Sequence, residues 1–265
     1  MTQIYFFTFP LPIAVTLWYI FVMVVNVDTT HARRFINAYN AIDHALRVQY
    51  NFKSNISFTD LIRRCSNLNT VIRGYEDDLI SLARLRNAIV HNKSEQIIAE
   101  PHEDVVELTE KIARIVVTPP LAIEVIKSRN VSTVQGSLSV SELMVEIDRV
   151  KFSNLPVYKG NALIGVVNFR KIASVQGSII AKGERTIDCF LKNTTVEEFL
   201  REYPANDHYS LVSANITIEE ILNLFDGNRK LACVIFTKSG NFLEQPIGII
   251  TAADIFDLKK VLEGY

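Results

Sequence analysis

Residues 163–171, LIGVVNFRK, and residues 246–254, PIGIITAAD, repeat one pattern and decide the fold of the C-terminal half. Each copy is an apolar strand that contains one glycine and runs directly into the predicted start of a helix. In the second copy Thr251 takes the N-cap position, and Asp254 lies in the first turn. A helix N-terminus attracts phosphate, and a carboxylate in its first turn can accept hydrogen bonds from a ribose diol. The two segments therefore predict a nucleotide-sized site that is built twice.

The Thr251–Asp254 pair is also compatible with an ordinary capping box, which many helices use only for stability. The repeat favours the functional interpretation, because self-similarity of this length is typical of duplicated supersecondary units. In each copy a helix (139–150 or 217–225) is followed by a strand (154–158 or 231–237), a turn, the glycine-containing strand and a second helix.

From about Leu121 to the C-terminus, the sequence resembles a tandem pair of cystathionine β-synthase (CBS) domains, also called a Bateman module. The family motif, glycine-apolar-x-Thr/Ser-x-x-Asp/Asn, is matched by Gly248, Thr251 and Asp254. The resemblance implies two packed β-α-β units that bind an adenine nucleotide as a regulatory ligand, either AMP, ADP, ATP or a cyclic dinucleotide. The three motif residues are then expected to line the nucleotide site.

The resemblance also implies that Val212 and Ser213, in the first core strand of the second copy, belong to this nucleotide site. The first copy departs from the motif, because Asn168 replaces the hydroxyl residue and Lys171 replaces the carboxylate. The ribose acceptor is therefore missing there. Two alternatives stay open for the first copy: Lys171 contacts phosphate instead, or the site is empty. We expect one working site, in the second copy.

The composition excludes several classes of protein. A formal net charge of −1 gives no general basic field, so we expect no DNA binding and only local contacts with RNA. Cys65, Cys189 and Cys233 are odd in number, far apart and without a Cys-x-x-Cys pair. This pattern argues against a disulfide framework and against a zinc site, and favours buried thiols in a reducing compartment.

Residues 1–28 form a hydrophobic segment of their own. Residues 4–27 carry no charge, and Arg33 and Arg34 follow shortly after them. At ~1.5 Å per residue such a run is just long enough to span ~30 Å of hydrocarbon. We therefore expect a cytoplasmic protein with a membrane anchor at residues 4–27, since arginines after the run keep the remainder on the cytoplasmic side. A non-native extension, from a start codon assigned too far upstream, and an interfacial hydrophobic arm stay open as alternatives.

The middle of the chain has the apolar spacing of four helices joined by short connections, which is typical of a small antiparallel bundle. Pro119 and Pro120 end the helical pattern and mark a domain boundary. The predicted fold is therefore multidomain, with an N-terminal all-α four-helix bundle and a C-terminal α/β (α+β) tandem CBS module. Its parts are the hydrophobic segment 1–28, the bundle 29–118, the first CBS domain 121–180, and the linker helix with the second CBS domain 181–265.

The third predicted helix contains residues 85–92, LRNAIVHN. This stretch resembles the Arg-Asn-x-x-x-His signature of HEPN domains, all-α bundles that include many metal-independent ribonucleases. Residues 35–44, FINAYNAIDH, are similar to the first helix of that family. The resemblance covers roughly residues 33–117. It implies an RNA substrate, no metal, and a homodimer in which two motifs meet.

The residues of this motif suit the cleavage of RNA by its own 2′-hydroxyl. His91 can act as the base, since histidine titrates near neutrality, and Arg86 can stabilise the phosphorane charge. Asn87 and His91 are spaced to share a helix face, so the amide can orient the imidazole. We therefore take Arg86, Asn87 and His91 as the candidate catalytic residues. The alternative is structural: Arg86 pairs with Asp77 or Asp78, and His91 simply ends the helix.

Two functions follow as hypotheses. The first is a nucleotide-regulated, metal-independent endoribonuclease, active in stress response or phage defence. The second is a non-catalytic adenine-nucleotide-binding regulatory protein whose helical domain serves dimerisation or partner recruitment. No metal site is expected for either, because His44, His102 and His208 are each isolated among solvated residues.

Overall fold

The computed structural model describes residues 30–91, 96–126, 130–183, 186–204 and 207–265. They divide into two compact units, one ending at Pro120 and the other spanning Leu121–Gly264. The hydrophobic segment 1–28 lies outside the described residues. Within the described ranges, no helix combines the length and the apolar character that crossing a membrane requires.

The first unit is built from helices around one apolar core. Asn69 starts a short helix by accepting hydrogen bonds from the backbone N–H groups of Val71 and Ile72, at 2.9 Å each. Each of the longer helices buries one apolar face in this core, to which Phe35 and Leu79 belong. The described elements are α1 (His31–Gln49), α2 (Phe58–Ser66), α3 (Thr70–Gly74), α4 (Glu76–Ile89), β1 (Val90–His91), β2 (Gln96–Ile97) and α5 (Glu103–Val117).

The end of α4 corrects one sequence prediction. The sequence predicted a helix that continues through His91, but α4 ends at Ile89, and Val90 is extended with φ −105° and ψ 120°. Val90–His91 instead pairs antiparallel with Gln96–Ile97. The β-branched pair Ile89-Val90 favours this change from helix to strand. Asn87 and His91 therefore do not share a helix face.

The second unit contains two copies of one arrangement, each with a three-stranded sheet. In both sheets the first two strands are parallel, and the second and third are antiparallel. The first copy comprises α6 (Ala122–Val125), β3 (Val134–Gln135), α7 (Val140–Val150), β4 (Asn154–Lys159), β5 (Ala162–Asn168) and α8 (Phe169–Lys182). The connecting helix is α9 (Ile187–Asn193), and the second copy comprises α10 (Val196–Glu202), β6 (Tyr209–Ser213), α11 (Ile218–Gly227), β7 (Cys233–Thr237), β8 (Gly248–Thr251) and α12 (Ile255–Gly264).

The first helix of each copy packs on the other copy. Isolated bridges join Ser139, at the start of α7, to Thr195, and Leu121 to Thr217, at the start of α11. Helix α10 consequently packs against α7 and β5, whereas α6 packs against α12. This exchange ties the two copies into one unit and brings residues from the beginning of the first copy next to the end of the second.

The cysteines differ in their surroundings. Cys65 and Cys233 are buried, as the sequence predicted, whereas Cys189 is exposed, contrary to that prediction. Cys189 lies on α9, between the copies, where only part of the helix is covered. Burial raises the pKa of the Cys233 thiol to about 12, so this thiol stays protonated and unreactive at neutral pH.

Candidate nucleotide-binding site

The candidate site lies where β8 passes into α12, through a turn of 3₁₀ helix at Ala252–Asp254. One carboxylate oxygen of Asp254, Oδ2, accepts hydrogen bonds from the backbone N–H and the hydroxyl of Thr251, at 2.8 Å each. The other oxygen, Oδ1, accepts no hydrogen bond from any described residue. Asp254 is therefore held in place through one oxygen, and the second is available to a ligand.

A cavity of about 280 Å³ opens beside these two residues. This volume is close to the lower end of the range of small-molecule pockets. Its walls come from both copies, because the exchange of α6 and α10 brings the start of the first copy to this place. The first copy and the segment before it contribute Val125, Ile126, Asn130, Val131, Ser132, Lys151, Phe152, Ser153 and Asn154, and the second copy contributes Ile249, Ile250, Thr251, Asp254, Asp257 and Leu258.

The lining offers the groups that a nucleoside needs. Ser132, Ser153 and Asn154 bring hydroxyl and amide groups, and Phe152 has 49% of its surface exposed. An aromatic ring that is partly exposed at a cavity can stack on a base. Lys151 adds a cation, although its ammonium group is paired with Asp148. No cluster of His, Cys, Asp and Glu suited to a metal ion occurs within the described ranges.

Val212 and Ser213 are not among the residues that line this cavity. In the second sheet, Val212 pairs with Phe236, and Phe236 pairs with Gly248. Thr251 lies at the opposite end of β8 from Gly248, and three residues at ~3.3 Å each separate the two by ~10 Å. The residues that do line the cavity, Val131 and Ser132, belong to the first copy. The sequence contained both stretches but no local signal that the copies exchange their first segments.

Gly248 also has a role other than the expected one. The sequence suggested that its missing side chain lets a ligand approach the strand. A Cβ atom at Gly248 would lie 2.9 Å from Cδ1 of Ile126. Gly165 is crowded in the same way, since a Cβ there would lie 3.0 Å from Cδ1 of Leu200. Both glycines therefore make room for an aliphatic side chain of an exchanged segment.

The corresponding junction of the first copy is occupied by its own side chains. The Asn168 side-chain oxygen accepts hydrogen bonds from the backbone N–H groups of Arg170 and Lys171, at 2.8 and 3.3 Å. Its amide nitrogen donates to the side-chain oxygen of Asn154, at 2.6 Å. Two backbone N–H groups in the first turn of α8 are thus already hydrogen-bonded to the Asn168 side chain. The first copy also has Lys171 where the second copy has the Asp254 carboxylate.

Two residues of the helical motif, Arg86 and Asn87, line a second, polar pocket of about 330 Å³. Arg86 is half-buried, and it forms no hydrogen bond or ion pair with the residues that the structure describes. The alternative pairing with Asp77 or Asp78 is therefore not found. Asn87 is exposed at the edge of the same pocket. The backbone of His91 lies in β1, and its side chain falls outside the described part of the structure.

The sequence matches no protein-family model and no curated protein. Among solved structures, the chain is similar to the CBS domain of a bacterial CNNM/CorC family Mg²⁺ transporter, with a TM-score of 0.41 and 17% identity over 58% of this chain and 81% of that chain. A CBS-domain containing protein from Agrobacterium tumefaciens has a TM-score of 0.39 and 17% identity, covering 52% of this chain and 98% of its own. The structure of CBSX2 in complex with AMP has a TM-score of 0.41 and 17% identity, covering 54% and 98%.

Proposed function

We propose that the second unit is a tandem CBS module that binds one adenine nucleotide, and that the protein is a nucleotide-responsive regulator. The observation that carries this proposal is the cavity at which Thr251 and Asp254 of the second copy meet the first copy. The unused Oδ1 atom of Asp254 accepts hydrogen bonds from the ribose hydroxyls, and Thr251 lies at the helix N-terminus that receives the phosphate. The exposed ring of Phe152 covers the base.

Loss of the Asp254 carboxylate tests this function. A charged acceptor of two hydrogen bonds contributes about 1.5–3 kcal/mol, so Asp254→Ala is expected to weaken nucleotide binding roughly 10- to 150-fold. Calorimetric titration of AMP, ADP and ATP into the full chain measures this. Asp188→Ala removes an exposed carboxylate that does not line the cavity and serves as the control. Equal affinity of both variants for every nucleotide would remove the proposed site.

A second candidate function is metal-independent cleavage of RNA by the first unit, as in HEPN domains. It is favoured by Arg86, whose half-buried guanidinium group lies at a polar pocket without an acidic partner among the described residues. In this proposal Arg86 stabilises the phosphate charge, His91 takes the proton of the 2′-hydroxyl, and Asn87 contacts the substrate. Two such motifs meet in a homodimer, and nucleotide binding to the second unit regulates cleavage.

Cleavage in the presence of EDTA tests this candidate. The full chain is expected to cut single-stranded RNA and to leave cyclic-phosphate ends, because the proton transfers are assigned to His91 rather than to a metal. His91→Ala and Arg86→Ala each abolish cutting, whereas Arg84→Ala, which changes an exposed arginine outside the pocket, retains it. An inert wild-type protein, tested with and without nucleotide, would instead favour the non-catalytic role in dimerisation or partner recruitment.

A further inference from the structure

The end of helix α7 has a backbone conformation that is unusual for the residue found there. Lys151 caps α7 in the left-handed region, with φ +60° and ψ 22°. A side chain is disfavoured in this region because its Cβ atom approaches the following carbonyl oxygen, so helices that end in this way usually have glycine. Helix α8 of the same copy follows this rule, since Gly183 caps it with φ +67°. The lysine at position 151 therefore has an energetic cost that the backbone arrangement alone does not explain.

The strained residue belongs to the wall of the cavity in the second unit. The chain passes from α7 into β4 through four consecutive residues that all line this cavity, Lys151, Phe152, Ser153 and Asn154. Lys151 is the only basic residue among the described residues of the wall. Backbone strain that persists beside a ligand site is commonly part of that site. The position of Lys151 therefore points to a role of its side chain in binding.

The charges around the cavity show what this role can be. Asp254 and Asp257 both line the cavity, and both are half-buried. A phosphate group in the cavity is repelled by these two carboxylates, and partial burial reduces the screening of that repulsion by solvent. Among the described residues of the wall, the ammonium group of Lys151 is the charge that offsets it. The phosphate of a nucleotide needs this cation, whereas its ribose and base do not.

The present partner of Lys151 is easily exchanged for a ligand. The ammonium group forms an ion pair with the carboxylate of Asp148, which lies three residues earlier on α7. The side chains of Lys151 and Asp148 are 74% and 83% exposed. An ion pair between side chains this exposed contributes little to stability, so breaking it costs little. Lys151 can therefore leave Asp148 for a phosphate in the cavity.

We propose that Lys151 binds the phosphate of the nucleotide and makes this site select phosphorylated adenosine over adenosine itself. The left-handed backbone holds the lysine at the cavity, and the ammonium group exchanges the Asp148 carboxylate for the phosphate. This inference rests on the proposed nucleotide site, in which Asp254 accepts the ribose hydroxyls that both ligands share. Loss of the Asp254 carboxylate therefore weakens the binding of both ligands, whereas loss of the Lys151 charge weakens only that of the phosphorylated one.

Calorimetric titration of AMP and of adenosine into the full chain tests this selection. Lys151→Gln removes the charge and is expected to weaken AMP binding about tenfold, while adenosine binding stays within about twofold of the wild type. Lys151→Arg restores a cation and is expected to bind AMP within about threefold of the wild type. The matched control is Lys192→Gln, because Lys192 forms a similarly exposed ion pair with Asp188 and does not line the cavity. It is expected to leave both affinities within about twofold of the wild type.

Lys151→Gly separates ligand binding from stability. Glycine accepts φ +60° without a steric contact, so this variant is expected to melt at the wild-type temperature or up to about 4 °C above it. It is also expected to bind AMP about tenfold more weakly, as Lys151→Gln does. Asn51→Gly is the control for the backbone, because Asn51 has φ +54° and does not line the cavity, and it is expected to keep the AMP affinity. A chain that is no less stable but binds AMP less tightly retains the lysine for its ligand.

The possible failures of this inference differ from those of the nucleotide site itself. The role of Lys151 is overturned if Lys151→Gln binds AMP as the wild type does, or loses AMP and adenosine equally, while Asp254→Ala still weakens the binding of both. A Lys151→Gly variant that melts well below the wild type would also overturn it, since the lysine side chain would then serve the fold. A wild-type chain that binds neither AMP nor adenosine would remove the nucleotide site and the role of Lys151 together.

Discussion

The two copies of the second unit share one fold but differ at the junction between the third strand and the helix that follows. In the first copy the Asn168 side chain caps α8 and is itself held by Asn154. In the second copy the Asp254 carboxylate turns back onto Thr251 and keeps one oxygen unused. The same backbone arrangement thus serves stability in one copy, and in our proposal serves ligand binding in the other.

The neighbouring strand explains part of this difference. In the first sheet Asn154 lies opposite Asn168, and its side chain accepts the hydrogen bond from that amide. In the second sheet the residue opposite Thr251 is Cys233, whose buried thiol is only a weak hydrogen-bonding group. The Thr251 side chain therefore forms its hydrogen bond with Asp254 and not with a side chain of the neighbouring strand. The residue on the middle strand, Asn154 or Cys233, is thus one of the differences between the closed and the open junction.

The largest expected difference in stability is between alanine substitutions at the two glycines, Gly165 and Gly248. Gly165 has φ +159° and lies opposite the register shift at Val157 and Tyr158, whereas Gly248 has ordinary strand geometry. Gly165→Ala combines crowding against Leu200 with backbone strain and is expected to cost about 2–4 kcal/mol, against about 1–2 kcal/mol for Gly248→Ala. Urea denaturation of both variants measures the difference. An equal loss of unfolding free energy in both variants would mean that the backbone at residue 165 accepts a side chain without strain.

The two junctions are expected to respond differently to loss of their N-cap side chain. Asn168→Ala removes two capping hydrogen bonds and is expected to lower the free energy of unfolding by about 1 kcal/mol. Thr251→Val keeps the shape but loses the hydroxyl, and is expected to weaken nucleotide binding roughly five- to tenfold. Urea denaturation and calorimetry on both variants check this. A larger loss of nucleotide affinity in Asn168→Ala than in Thr251→Val would reverse the roles of the two junctions.

The smallest expected effect concerns a feature that the copies share. Glu142 and Glu220 each accept hydrogen bonds from the backbone N–H and the hydroxyl of the N-cap residue, Ser139 or Thr217. The backbone hydrogen bond from Ser139, with the hydroxyl second, lowers the pKa of Glu142. Its folded pKa thus lies below its unfolded pKa of about 4.3, so its contribution to stability is present above that pH and is lost as the pH falls through the folded value.

Glu142→Gln removes this titration while keeping an acceptor. The variant is expected to reduce the acid sensitivity of unfolding by a small amount. Thermal melting between about pH 3 and pH 6 covers the relevant range. An unchanged acid sensitivity in Glu142→Gln would show that the hydrogen bonds between Ser139 and Glu142 contribute nothing to stability.

The sequence predicted the features that depend on local patterns. The order of helices and strands in both copies follows from the repeat, and the Thr251–Asp254 hydrogen bonds follow from the spacing of an N-cap. The features that the sequence did not reveal depend on contacts between distant segments. No local signal reveals that α6 and α10 are exchanged, so the sequence did not place Val131 and Ser132 beside Asp254. The prediction of a helix through His91 was wrong, because Val90–His91 pairs with Gln96–Ile97 and the helix ends at Ile89.

The most direct test counts the nucleotides that each chain binds. Calorimetric titration of AMP, and then of ADP and ATP, is carried out on the full chain, on Asp254→Ala and on Lys171→Ala, which alters the corresponding position of the first copy. We predict one nucleotide per chain in the wild type, no change in Lys171→Ala, and an affinity at least about tenfold lower in Asp254→Ala. Two equivalent nucleotides per chain, or a loss of binding in Lys171→Ala but not in Asp254→Ala, would contradict the account.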